Sequence, residues 1–415
     1  MTGYRIQHID LTQPLTESLI QINLSAESIY SIFWWHDIPL GTVVISAAEL
    51  PLTPTALATL AAQTVTPTVQ TYLAEQNLAE QTDQSLQTPL DLSAQMAAIA
   101  PLKFESGDAD TSVSIVVCTR DRPQQLADCL QSLQALNPPA SEIIVVDNAP
   151  TTTATQDIVQ KFPRTRYVVE SQPGLSRARN TGIRQSKGDL IVFTDDDVQV
   201  HPHWLEPIHA AFLDPQTMAV TGLVIPTELR TETQALFELS LKCLNNGCQP
   251  KTYDLNFFKQ HQKKGVPVWD IGAGANMAFR REIFEKVGEF DPRLGAGAAG
   301  CSEDSELWYR ILAAGWRCQY QPAAVVYHTH REDIAALRQQ MHSYMRGHVV
   351  SLLIQFSHFQ HWGNLRRLVF ELPRFYWQLL NPAIRHRFRG RYRTYWSELG
   401  GYLSGPAAYF QLKWR

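Results

Sequence analysis

The 415-residue sequence is poor in cysteine, with six scattered along it and none at the CxxC spacing of a zinc site. Cys118 and Cys129 fall in apolar-periodic segments and read as small buried hydrophobes. No run approaches the roughly 20 apolar residues that span a bilayer. The start, Met1-Thr2-Gly3-Tyr4-Arg5, lacks the apolar stretch of a signal peptide. A reducing, cytoplasmic location is the expectation. A large charge excess is missing too, since a net charge of −4 gives no global reason to bind nucleic acid. Internal repeats and low-complexity tracts are also lacking. What is present is the composition of a folded chain, 44% hydrophobic and 18% charged, long enough for two or three domains.

Charge is unevenly spread. From Arg331 onward there are 13 Lys and Arg against 4 Asp and Glu, a net +9 that leaves −13 for the rest. Such asymmetry points to different partners for the two parts. Residues 1–75 read as a small α+β accessory domain. It holds a hairpin of Ile29–Trp35 and Thr42–Ser46 around a turn at His36–Gly41, followed by a helix. Residues 76–110, rich in Gln, Ala, Ser and Asp, read as a linker. Residues 332–415 read as a helical extension rich in Arg and aromatics.

Between them, over 111–331, strands and helices alternate. Val113–Cys118, Ile143–Val146, Tyr167–Val169 and Leu190–Phe193 are short continuous apolar runs, the pattern of strands buried on both faces of a parallel sheet. Pro123 opens a helix whose Leu126, Cys129, Leu130 and Leu133 share one face. Gly174 opens another. The fold class expected is α/β with right-handed crossovers. Ligands of such sheets bind beyond the carboxyl ends of the strands. There the first strand releases Thr119-Arg120-Asp121-Arg122, the second Asp147-Asn148 and the fourth Asp195-Asp196-Asp197. Three adjacent carboxylates repel one another unless a cation neutralises them, so a divalent metal site is expected there rather than a plain polar turn.

The segments Val113–Pro123, Glu142–Asn148, Gly174–Asn180 and Gly188–Asp197 together resemble glycosyltransferase family 2. Gly272–Arg281, Glu303-Asp304 and Tyr327-His328 continue the same order. The resemblance covers roughly 112–331. It implies a GT-A type fold, a Rossmann-like, mostly parallel sheet, and inverting, metal-dependent transfer of a hexose from a nucleotide sugar. UDP is the default nucleotide. Asp195-x-Asp197 corresponds to the family's DxD motif. Asp197 and His328 would hold Mn²⁺ or Mg²⁺. Thr119, Asp121, Asp147, Arg179, Asn180, Asp195 and Asp196 would surround the nucleotide, with Asp147 at the base and Asp195 near the ribose. Asn276 would touch the donor sugar.

The chemistry accounts for this inventory. Negative charge builds on the departing diphosphate, which a divalent ion stabilises. An opposing carboxylate must take the acceptor hydroxyl's proton. Asp304, with Glu303 beside it, is the candidate. Ser302-Glu303-Asp304 also reads as a helix N-cap with acids in its first turn. Gly295–Gly300 reads equally as an active-site loop or a surface loop. Two other classes compete. A sugar nucleotidyltransferase needs a Gly-rich phosphate loop that Thr119–Pro123 lacks. A non-catalytic carbohydrate- or membrane-binding module would have no use for the acidic cluster. Basic residues interleaved with aromatics from Arg366 to Trp396 point to an anionic membrane surface, with structural cover for the acidic domain as the alternative. The acceptor is then a carbohydrate or a lipid-linked molecule, and the enzyme sits peripherally on the cytoplasmic face.

Overall fold

A computed structural model describes residues 3–15, 27–75, 92–100, 102, 104 and 111–413. Near the N-terminus, β1 (Tyr4–Asp10) runs parallel to β2 (Ser28–Trp35), which pairs antiparallel with β3 (Ile38–Ile45). The hairpin turn is shorter than its sequence implies. Trp35 pairs with Ile38, so only His36 and Asp37 turn, with His36 at a φ of 50°. Two-residue hairpins require that left-handed geometry. Pro39 is tolerated because β3 is a sheet edge and a register shift falls beside it.

One face of this sheet carries the helix Pro54–Glu75, whose Leu57, Ala61, Val65 and Val69 are buried at four-residue spacing. The stretch read as a linker contributes a second helix, Leu92–Ile99, with Met96 and Ile99 in the same core. The opposite face buries Tyr30, Ile32 and Trp34 against Leu223, Ile225 and Val325 of the central sheet. The N-terminal part is thus a layer laid on the main domain.

Among the described residues, the central sheet has nine strands. They are β4 (Val113–Thr119), β5 (Glu142–Asn148), β6 (Thr165–Glu170), β7 (Leu190–Asp195), β8 (Val198–Val200), β9 (Thr217–Pro226), β10 (Lys251–Tyr253), β11 (Asn276–Arg280) and β12 (Arg317–His328). The order is β10-β12-β9-β11-β7-β4-β5-β6, with β8 also pairing β12. β4 to β7 are mutually parallel, whereas β11 runs antiparallel between β7 and β9. Every residue of β4 is buried. Each fully buried Val or Ile side chain contributes roughly 1.5–3 kcal/mol, which is why polar alternation is absent. The helix Pro123–Gln134 buries the four residues its periodicity marks.

From β4 the chain steps outward to β5 and β6, then returns to place β7 on the other side of β4. That reversal opens a crevice beyond the ends of β4 and β7, where Cys118 lies opposite Asp195. After β12 come the helices Ile334–Phe359, Trp362–Arg366, Leu372–Arg385 and Tyr395–Lys413. The first and last share a core of Val350, Ile354 and Tyr409 with Leu294 and Ala299.

Candidate functional site

The crevice widens into a cavity of about 1320 Å³, walled by the strand ends on one side and the C-terminal helices on the other. That exceeds the ~300–1,000 Å³ typical of a single small-molecule site, leaving room for two reactants. Of the residues singled out in the sequence, Thr119, Arg179, Asp195, Asp196, Asp197, Glu303, Asp304 and His328 line it.

The three adjacent carboxylates are not equivalent. Asp196 is buried and accepts from Thr119 Oγ1 at 2.7 Å and Arg122 Nη1 at 3.1 Å. Burial pushes its carboxyl up to about 6 even though Arg122 and Thr119 pull the other way. Asp195 and Asp197 are more open, with side chains 33% and 19% exposed. Arg122 also reaches Asp197 Oδ2 at 3.3 Å, a partner that sequence reading missed. The other oxygen of Asp197, Oδ1, lies 3.6 Å from His328 Nε2. Burial first, then neighbouring His330, depress His328 to about 3, so its imidazole is neutral, the form that binds metals.

Among the described residues, no group of three or more His, Cys, Asp and Glu side chains is gathered as a metal cage. Asp197 and His328 offer one carboxylate oxygen and one imidazole nitrogen. That set fits Mg²⁺ or Mn²⁺ held partly by substrate phosphates, which is how such ions are usually bound beside a diphosphate.

Arg179 is the hinge of the opposite wall. It is 2% exposed, and its guanidinium donates to Glu303 Oε1 at 2.6 Å, Asp195 Oδ1 at 3.3 Å and the Gly274 carbonyl at 3.2 Å. One cation thus orients two carboxylates from different elements. Glu303 is buried and stays above the usual carboxylate range, because desolvation outweighs the attraction of Arg179. Asp304 is also raised by burial, yet it is the less buried member of the pair. Gly274 explains the glycine-rich segment before β11. A Cβ there would lie 2.9 Å from Asp304 Oδ2 and 3.1 Å from Arg179 Nη2.

The helix Glu303–Ala313 starts as expected, but Ser302 does not cap it with its side chain. Ser302 sits at a φ of 71°, strained for a residue with a Cβ, and turns the chain so that the acids enter the cavity wall. The glycine run before it is packed. Leu175 N donates to the Ala296 carbonyl at 2.9 Å and Arg346 Nε to that of Ala299 at 2.8 Å. Gly300 has a φ of 114° and touches Ser343, leaving no room for a side chain.

Four of the singled-out residues do not line the cavity. Asn276 donates to the carbonyls of Leu223 and Ala324 and accepts from Trp204 Nε1, so its amide is spent inside the fold. Asn180 clamps the backbone of Phe290 with both ends of its amide. Asp121 accepts from the Thr151 N–H and hydroxyl, which hold its carboxyl below the usual range. Asp147 is buried with Oδ2 on the Tyr167 hydroxyl, and its Oδ1 has no protein partner. His201 stacks on Trp34.

Residues 114–288 match the family model described as Glycosyl transferase family 2. The chain is 26% identical over 245 residues to pre-mycofactocin glycosyltransferase of Mycobacterium tuberculosis, covering 57% of this chain and 47% of that protein. It is 26% identical over 236 residues to glycosyltransferase AglE of Haloferax volcanii, covering 55% of this chain and 70% of that protein. The chain therefore spans about half the length of the mycobacterial relative. A mannosyltransferase from Pyrobaculum calidifontis, solved with GDP-Man and Mn²⁺, superposes with a TM-score of 0.49 at 14% identity, over 84% of this chain and 98% of that one.

Proposed function

From the premise that residues 114–288 belong to glycosyl transferase family 2, we propose that the chain is an inverting glycosyltransferase. It moves a sugar from a nucleoside diphosphate sugar, UDP by default, to an acceptor hydroxyl during assembly of a polysaccharide, glycolipid or other glycoconjugate. The observation that carries this reading is the sharing of one cavity by Asp195, Asp197 and His328 on one wall and Asp304 on the other.

In this reading the diphosphate lies at the end of β7. Asp197 and His328 hold a divalent ion, Mn²⁺ or Mg²⁺, which would supply charge neutralisation of the leaving group. Asp195, the first acid of the DxD motif, is held by Arg179 towards the ribose. Thr119 and Asp196 shape the floor. Asp304 takes the proton of the acceptor hydroxyl as that oxygen attacks the anomeric carbon. Its raised proton affinity is an advantage for a base that must bind a proton near neutral pH. A single displacement inverts the configuration.

The same reading places the enzyme peripherally on an anionic membrane. Among the described residues, nine of the twelve exposed large hydrophobic side chains lie between Trp362 and Phe410. They include Phe370, Phe375, Trp377 and Trp396, interleaved with the exposed Arg374, Arg385, Arg387 and Arg389. No helix among the described residues is long and apolar enough to cross a membrane. Phe375 and Arg374 also line the cavity, so its mouth opens towards that face, a geometry suited to a lipid-linked acceptor.

The test is nucleotide-sugar binding and turnover with and without Mn²⁺, in the wild type and Asp197→Ala. The wild type is expected to bind a nucleoside diphosphate in a metal-dependent way that the variant loses while staying folded. A variant with unchanged metal dependence would remove the metal assignment. A folded wild type that binds no nucleotide sugar would remove the whole reading.

A further inference from the structure

One buried network lies behind the site, and its inner members, Glu238 and His330, are used by none of the chemistry above. The π-helix Leu236–Leu241 turns Glu238 into the protein, where it is 4% exposed. Such widened turns recur where a side chain must be aimed. Glu238 Oε1 accepts from the Tyr30 hydroxyl at 3.0 Å and Asn245 Nδ2 at 2.7 Å. Glu238 Oε2 faces His330 Nε2 at 3.1 Å, and His330 Nδ1 faces His328 Nδ1 at 2.9 Å. His328 Nε2 then faces Asp197 across 3.6 Å.

Proton positions along this chain follow from its one fixed end. Glu238 takes two hydrogen bonds on Oε1, and as a carboxylate it can only accept on Oε2 as well, so His330 must carry its hydrogen on Nε2. His330 Nδ1 is then a bare acceptor, and His328 must donate to it from Nδ1. That leaves the lone pair of His328 on Nε2, aimed at the cation site. We propose that Glu238 and His330 are positioning residues that fix the metal-ligating tautomer of His328. Through Tyr30, the layer containing β2 is built into that relay. The proposal rests on the reading of Asp197 and His328 as metal ligands. It gives the N-terminal part of the chain a role at the site that its own residues do not otherwise reveal.

Glu238→Gln tests it with almost no change of shape. Tyr30 and Asn245 both donate to the Oε1 position, so they hold the amide oxygen there and turn the NH₂ towards His330. His330 Nε2 must then accept, every hydrogen in the chain reverses, and His328 presents an N–H where the ion would bind. Loss of a group that orients a metal ligand typically weakens metal affinity by about 10–100-fold. Two measurements on the full chain read this. One is Mn²⁺ binding, followed by the electron paramagnetic resonance signal of the free ion. The other is ¹⁵N NMR of labelled histidine in metal-free protein, with His328 assigned by difference from His328→Asn.

The expectation is a His328 protonated on Nδ1 in the wild type and on Nε2 in Glu238→Gln, together with the 10–100-fold weaker Mn²⁺ binding. Wild-type His328 protonated on Nε2, or a folded Glu238→Gln that binds Mn²⁺ as the wild type does, would overturn the relay. Should Glu238→Gln fail to fold, the wild-type ¹⁵N pattern decides alone. A wild type that binds no Mn²⁺ either alone or with a nucleoside diphosphate overturns the metal reading itself. The imidazole spectra judge the relay separately.

Discussion

Replacing Arg179 by Met separates the site's electrostatics from its shape. Methionine fills much of the same volume but leaves Glu303 buried, with its side chain 7% exposed and its 2.6 Å cationic partner gone. Breaking a buried pair by removing one partner costs about 3–5 kcal/mol. The cost has a pH signature because Glu303 can escape it by protonating. Its proton affinity is already raised in the wild type, and loss of Arg179 raises it further. A carboxyl with a raised folded-state pKa makes the native state bind more protons than the unfolded state. Stability therefore falls as pH rises from the ordinary carboxylate value of about 4.3 towards the raised one. Arg179→Met should be several kcal/mol less stable than wild type at pH 8 and recover much of the difference near pH 5. Urea denaturation at both pH values, monitored by tryptophan fluorescence, measures it. A loss of the same size at both pH values would mean that packing, not the ion pair, is the role of Arg179. No loss at pH 8 would mean that Glu303 is already neutral in the native protein.

Asp304→Asn should keep donor affinity and lose transfer by about 10²–10⁴-fold, the range of a general base. Proton NMR at early times should show only the inverted product from wild type, and retained configuration would exclude a single displacement. Asn276→Ala strands the Trp204 indole N–H and two buried carbonyls, each unsatisfied group costing about 1–3 kcal/mol. Its melting temperature should fall while the donor KM stays unchanged, and the reverse pattern would restore Asn276 as a sugar contact. Trp377→Ala with Phe370→Ala should weaken flotation with anionic liposomes, and high salt should weaken it further, since each Lys or Arg near such a surface contributes about 1 kcal/mol. Binding that ignores lipid charge and salt, or no binding, would leave the basic helices as structural cover. That cover exists in part, because Arg391 and Arg393 pair with Glu398 and Glu232.

Local pattern determined much of this protein. The apolar runs of β4, β5 and β7 had to be buried strands, and the spacing from Leu126 to Leu133 had to be one face of a helix. The acids at the end of β7 follow from strand polarity alone, since a parallel sheet collects its strand ends on one side. Which acid does what was not legible. Asp195, Asp196 and Asp197 are adjacent in sequence, but only tertiary contacts bury Asp196 against Thr119 and leave its neighbours open. Glu303 and Asp304 look interchangeable until Arg179, 124 residues away, takes one of them. Asn276 resembled a ligand contact because the sequence cannot show that Trp204, Leu223 and Ala324 claim its amide. The His-x-His spacing of His328 and His330 was a readable signal, since alternate residues of an extended chain share a face. Glu238 carried no such signal. A single acid in the apolar run Leu236–Leu241 gains meaning only when the fold brings Tyr30, 208 residues away, and His330, 92 residues away, to its two oxygens. Periodicity is a short-range property, whereas a buried charge is defined by partners that only chain folding supplies.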